Sequence, residues 1–163
     1  LMTAQIANGG YKIYPKIVMD DENKISPTDK FTPLYKNSKN IKIVQDAMFA
    51  STNEVRGTSY RSRIDDPKYQ FAGKTGTAQV KKITERDREL DLKTFQIPYE
   101  ERDHALYIAY GPYKNPRYAV SILVEHGGNG STTAAPMAKK LFKTIIDRHQ
   151  LRESINNKKY LDI

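Results

Sequence analysis

The chain contains no cysteine. Disulfides, thiol catalysis and thiolate zinc sites are therefore excluded, and the redox compartment is left open. No run of about 18 apolar residues occurs, so nothing in the 163 residues reads as a membrane-spanning helix. The opening residues, Leu1 to Ala7, carry no basic n-region and no cleavage site, and they do not read as a secretory leader. Histidine is scarce. His104, His126 and His149 are far apart with no i,i+4 pair, which favours structural roles over metal binding. Negative charge is also in short supply: 27 Lys and Arg stand against 19 Asp and Glu, for a net charge of +8. The last 25 residues hold seven of these cations and three acids, a net +4. No segment interleaves cations with aromatics as single-strand binders do, so nucleic acid is not an expected partner. The basic C-terminal stretch reads as a solvated helix face. Hydrophobic residues make up 38% of the chain, enough for a core and against disorder throughout.

The apolar residues that are present fall into short, patterned runs. Residues 2–7 followed by Asn8-Gly9-Gly10 predict a helix closed by glycine. Residues 11–19 are rich in β-branched and aromatic side chains and predict an edge strand because of Pro15. Residues 20–36, with Pro27 and Pro33, predict a loop. A helix follows over 40–52, with Val44, Ala47, Met48 and Ser51 on one face and Ser38 or Asn40 as the cap. Residues 69–80 predict a strand, and residues 81–103, with 13 charged residues in 23, a long mobile excursion. The runs 105–110 and 118–125 flank a turn-rich segment and predict an antiparallel hairpin. A final helix is expected over 132–150, with Met137, Leu141 and Ile145 on one face and Phe142 and Ile146 beside them. The whole reads as an α+β layer, an antiparallel sheet flanked by helices. Residues 1–150 form the domain part and 151–163 a loose tail.

Chemistry concentrates at Lys74-Thr75-Gly76-Thr77. A lysine on a strand edge supplies a positive field. The hydroxyls of Thr75 and Thr77 fall on the same face because side chains alternate along a strand. Gly76 between them leaves room for a ligand backbone. Such a surface accepts an extended peptide and anchors its carboxylate. Gly127-Gly128-Asn129-Gly130 lacks the Gly-Lys-Ser/Thr ending of a phosphate loop and reads as a turn.

The segment Phe71-Ala72-Gly73-Lys74-Thr75-Gly76-Thr77-Ala78-Gln79-Val80 resembles the third active-site motif of serine penicillin-binding proteins. His104 to Pro112, Asn115-Pro116, Ala119-Val120, Val124 to Gly128 and Ala134-Ala135-Pro136 are similar to the hairpin and helix that follow it in that family. Ile6 to Gly10 resembles the helix end that follows the family's second motif. The resemblance covers roughly residues 1–147, and it is nearest to the cell-elongation type of class B, penicillin-binding protein 2. It implies a partial transpeptidase domain of the serine β-lactamase-like fold. It implies acyl transfer from a D-Ala-D-Ala stem peptide of peptidoglycan through a serine nucleophile, with β-lactams acylating the same serine. Lys74 and Thr77 would be catalytic. Lys74 would help set the proton network, and the backbone N–H of Thr77 would be an oxyanion-hole donor. Thr75, Gly76, Thr77 and Gln79 would bind substrate. No cofactor and no metal is implied. The implied partners are stem peptides, β-lactams and a membrane glycan polymerase of the elongation machinery, at the periplasmic face of the bacterial inner membrane.

The departure from the family pattern is equally informative. No serine in the chain is followed by lysine three residues on, so the family's Ser-x-x-Lys nucleophile motif is missing from these residues. Ser38-Lys39-Asn40, Ser154-Ile155-Asn156, Tyr35-Lys36-Asn37 and Tyr113-Lys114-Asn115 imitate the second motif but stand at the wrong distances or in turns, and read as coincidence. The expectation is a piece that starts just after the second motif and is inactive alone. The alternatives are a β-lactam sensor domain, a septal transpeptidase or DD-carboxypeptidase of the same family, and a plain basic module that binds anionic polymer.

Overall fold

A computed structural model describes residues 1–15, 17, 31–82, 85, 90 and 92–161, with side chains to residue 154. The helices are α1 (Met2–Ala7), α2 (Ser38–Asn53) and α3 (Ala135–Leu161), and the strands are β1 (Ala72–Ala78), β2 (His104–Gly111) and β3 (Tyr118–Val124). The sheet has the order β1-β2-β3 and is antiparallel throughout. Thr75 pairs with Tyr107, and Tyr107 in turn with Ile122, so the middle of the sheet lies at the level of the Lys-Thr-Gly segment.

Strand alternation sends β2 side chains to two different cores. Ala105, Tyr107 and Ala109 face Ala134, Ala135, Ala138, Phe142 and Ile146 of the C-terminal helical segment, with Phe71 and Ile64 completing that cluster. Phe71 and Phe142 stack at 4.9 Å between ring centroids. On the opposite face, Ala72 and Tyr110 pack with Met48 of α2, and Ile6, Ala7 and Phe49 close around them. The sheet is thus covered by α3 on one side and by α1 and α2 on the other.

Several expectations are corrected here. Residues 11–15 form no strand. Their only ladder contact is a single antiparallel bridge from Tyr11 to Pro33, and Pro15 has no N–H to extend it. Residues 16 and 18–30 lie outside the described residues, as do 83–84, 86–89 and 91 of the charged excursion. What is described of that excursion includes two single 3₁₀ turns, Thr94–Gln96 and Tyr99–Glu101. Helix α2 starts two residues earlier than expected, because the Asn37 side chain caps it by accepting from the Lys39 N–H. Its buried positions are Met48 and Thr52, whereas Val44 and Ala47 are exposed. The final helix continues to Leu161 rather than stopping at Gln150. Its buried stripe is Ala135, Ala138, Phe142 and Ile146, at helical spacing, while Met137 and Leu141 are exposed. A single π-helical turn, Gly130–Ala134, leads into it.

Candidate functional site

Strand β1 is the edge of the described sheet, and its first residues are deeply buried while Lys74, Thr77 and Ala78 are exposed. Two small residues make this possible. At Gly73 an added Cβ would lie 2.3 Å from the Tyr107 hydroxyl. The Tyr107 side chain passes beneath β1 at that point and reaches Thr52 (2.9 Å) and Ser59 (3.1 Å) beyond it. Burial pushes the Tyr107 phenol up from its ordinary value, since the anion would be poorly solvated there. This hydroxyl triad ties the strand, the end of α2 and the following turn into one unit.

Gly130 is the second. A Cβ there would lie 2.4 Å from the Leu106 carbonyl oxygen and 2.7 Å from that of Gly76. The π-helical turn therefore presses its backbone onto β1 and β2 at the register pair Gly76–Leu106. The sequence reading took Gly130 as an ordinary turn residue. Its role is a backbone-to-backbone contact that periodicity does not reveal.

Lys74 Nζ donates to the Thr75 carbonyl at 2.8 Å and lies 3.4 Å from Thr75 Oγ1. Thr75 Oγ1 is 3.3 Å from Thr58 Oγ1, which is 3.2 Å from Ser51 Oγ. The result is a row of an ammonium and three hydroxyls across β1, the 57–59 turn and α2. Thr58 and Ser51 were not recognised as site residues from sequence, where Gly57-Thr58-Ser59 read only as a break. Gly76 is half-buried, and a Cβ added there would sit 3.3 Å from Leu106 Cβ. Thr77 and Gln79 are exposed, Gln79 one residue past the strand end. The structure thus joins Lys74 directly to Thr75 and leaves Thr77 and Gln79 farther along the same edge.

Lys74 also stands at the rim of an open cavity of about 600 Å³. Ile6, Val44, Ala47, Met48 and Ile108 supply apolar walls. The face of α2 that carries Val44, Ala47, Met48 and Ser51 therefore lines this cavity. On the Thr75 side, Gly57, Thr58, Tyr60, Arg61, Ser131 and Thr132 enclose a smaller, more polar cavity of about 230 Å³. The site is an edge strand carrying a cation and hydroxyls, with an apolar hollow on one side and a polar one on the other.

The two histidines of the hairpin serve the backbone. The His126 N–H donates to His104 Nδ1 at 2.9 Å, and His126 Nδ1 lies 3.1 Å from the Arg102 carbonyl. Among the described residues no group of three His, Cys, Asp or Glu is arranged to hold a metal ion. No helix among them is long and apolar enough to cross a membrane.

The family model of the penicillin binding protein transpeptidase domain matches residues 2–146. The peptidoglycan D,D-transpeptidase MrdA of Salmonella typhimurium strain SL1344 is 36% identical over 105 residues, 64% of this chain and 16% of that protein. MrdA of Escherichia coli K12 is 31% identical over 112 residues, 69% of this chain and 16% of that protein. The Pseudomonas aeruginosa penicillin-binding protein PBP2, solved in complex with WCK 5153, superimposes with a TM-score of 0.64 at 31% identity, over 88% of this chain and 28% of that one. The chain therefore spans about one sixth of the length of the curated relatives it matches.

Proposed function

Because the chain belongs to the penicillin-binding protein transpeptidase domain family, we propose that it is the part of a peptidoglycan D,D-transpeptidase that holds the substrate's carboxylate end and completes the oxyanion hole. The observation that carries this reading is the geometry of β1. An exposed Lys74 is bonded to Thr75 on an edge strand whose outer side is open to an extended peptide. Thr75 and Thr77 offer hydroxyls for a terminal carboxylate, and the backbone N–H of Thr77 is the oxyanion donor contributed by this chain. Gly76 and Gln79 line the approach.

The nucleophilic serine is supplied by a segment upstream of these residues, since no Ser-x-x-Lys occurs here. That segment fills the apolar hollow of about 600 Å³, which brings its serine next to Lys74. Attack of the serine hydroxyl on the penultimate D-Ala carbonyl forms a C–O bond and breaks the C–N bond. Terminal D-Ala leaves carrying the proton. An amine of a neighbouring stem peptide then attacks the ester and regenerates the serine. Lys74 steadies the proton's passage between these groups. The whole protein works at the periplasmic face of the inner membrane beside a glycan polymerase, and β-lactams acylate the same serine.

In the full-length protein, Lys74→Ala is expected to slow acylation by benzylpenicillin about 10²–10⁴-fold, with far-UV circular dichroism unchanged. Acylation at the parental rate would remove Lys74 from the mechanism. Intact-mass spectrometry gives the companion test. The 163-residue chain alone is expected to take up no penicillin. A stoichiometric adduct would place the nucleophile among its own serines.

A further inference from the structure

Beyond the polar cavity at Thr58 the surface opens into a third hollow, of about 500 Å³. Four of its lining residues are cations, Arg61, Lys139, Lys140 and Lys143, and none is acidic. Pro136 and Ser62 form much of the remaining wall. Among the described residues no carboxylate pairs with Arg61, Lys139 or Lys140. The carboxylates on the neighbouring elements are already engaged. Asp65 pairs with Arg63, Asp66 accepts from the Lys68 N–H, and Asp147 is held by Tyr69 and Lys68. Lys143 lies 5.9 Å from the Tyr69 ring centroid and acts on the Asp147 carboxylate through its field.

The position of this cleft matters more than its charge. It shares Arg61, Ser131 and Thr132 with the cavity of about 230 Å³, and that cavity shares Gly57 and Thr58 with the hollow at Lys74. Thr58 in turn touches Thr75. Three neighbouring cavities with shared walls thus form a trough that leads from β1 to the first turns of α3. Gly130 fixes its floor by pressing the π-helical turn onto β1, which sets Ser131 and Thr132 between the two ends.

We propose that this basic trough binds the free carboxylates of an acidic stem peptide, so that the enzyme selects carboxylate-bearing over amidated strands. The inference rests on the transpeptidase reading and names the substrate class for the same site. Lys139, Lys140 and Lys143 project from about one turn of one helix, at positions i, i+1 and i+4. They act as separate, hydrated point charges, suited to carboxylates spaced along a flexible peptide. Arg61 at the shared wall adds a planar fork that a carboxylate accepts in bidentate fashion. Each contact is solvent-exposed and individually weak, so selectivity comes from several acting together.

The test uses the full-length protein and soluble uncross-linked peptidoglycan strands. One batch carries free carboxylates, and a second has them converted chemically to amides. The parent is expected to bind the free form about tenfold or more tightly, with the difference shrinking as salt rises. The combined variant Lys139→Gln, Lys140→Gln, Lys143→Gln is expected to bind the two forms within about threefold of each other. Penicillin acylation of the variant is measured alongside and reports on the strand β1 site. Acylation retained with the preference lost supports the trough. Equal binding of both strand forms by the parent overturns it and leaves a solvated basic face. Stronger competition by a phosphate-bearing polymer, such as polyglycerol phosphate, than by acidic strands also overturns it. A parent that prefers acidic strands but is never acylated would instead sink the transpeptidase reading while sparing this one.

Discussion

At Gly73 the space a methyl group would need is filled by the Tyr107 hydroxyl, at 2.3 Å, and by the ring carbons behind it at 2.5 and 2.7 Å. Gly73→Ala therefore forces the strand and the ring apart, at about 1–3 kcal/mol. Removing only the hydroxyl does not relieve this, because the ring carbons remain. Tyr107→Phe by itself leaves Thr52 and Ser59, both fully buried, short of one partner, and should cost about 1–2 kcal/mol. Tyr110 offers the contrast. It is equally buried, but its hydroxyl has no hydrogen-bond partner among the described residues. Burial pushes that phenol well up, with Tyr113 and Asp46 adding to the effect. Tyr110→Phe should be neutral or stabilising by up to about 1 kcal/mol. Urea unfolding of the full-length protein's transpeptidase domain checks all three. A Tyr110→Phe loss equal to that of Tyr107→Phe would show that the two hydroxyls are equivalent.

Among the elements, α3 shows how spacing can find a helix and its packing side without fixing the centre of the buried stripe. Helical spacing put Met137, Leu141 and Ile145 on one face with Phe142 and Ile146 beside them; Phe142 and Ile146 are buried, while Met137 and Leu141 are 47% and 38% exposed. The buried stripe is the one that meets Phe71, Ala105, Tyr107 and Ala109, which spacing along the helix cannot name. Phe142→Ala should cost about 3–5 kcal/mol, because it empties the stack against Phe71. Met137→Ala should cost less than about 1 kcal/mol. Equal losses in thermal unfolding would show that the stripe runs through Met137 as much as through Phe142. The Asp147 carboxylate on the same helix receives the Tyr69 hydroxyl and the Lys68 ammonium, which hold it below its ordinary 3.8. The folded carboxylate therefore resists protonation. Its contribution is present above that ordinary value and is lost as pH falls through the lower folded value. Acid unfolding below about pH 4 should be shallower in Asp147→Asn than in the parent. Superimposable acid limbs would show that the contact is silent.

For the molecule as a whole, the apolar hollow between α1, α2 and β1 matters most. Ile43 is 65% exposed and Val44 41%, although both belong to the helix that covers the sheet. Apolar surface of this kind, next to the Lys-Thr-Gly strand, is where another part of a transpeptidase domain would pack. The 163-residue chain alone is therefore expected to be marginally stable and to bind an apolar dye such as ANS below its unfolding temperature. The complete domain should unfold sharply without dye uptake. A sharp, dye-free, monomeric transition of the chain alone would show that the hollow is self-sufficient.

Local chemistry made several features legible from the sequence. The alternating runs of β2 and β3 around turn residues produced the hairpin, because a period of two has only one way to bury one face. The Lys-Thr-Gly segment was legible as a strand carrying a cation and hydroxyls, since alternation alone orders its side chains. That no serine is followed by lysine three residues on is read from the sequence without any structure. Other features needed distant parts of the chain to meet. The expected strand over residues 11–19 gave way, over its described part, to a single bridge, since propensity cannot supply a pairing partner. Thr58 joined the site only when the 57–59 turn folded over β1, and Gly130 showed its purpose only against the carbonyls of Leu106 and Gly76. Periodicity records what lies beside a residue in the chain, whereas a site is made by what packs across from it, and that was decided by tertiary structure alone.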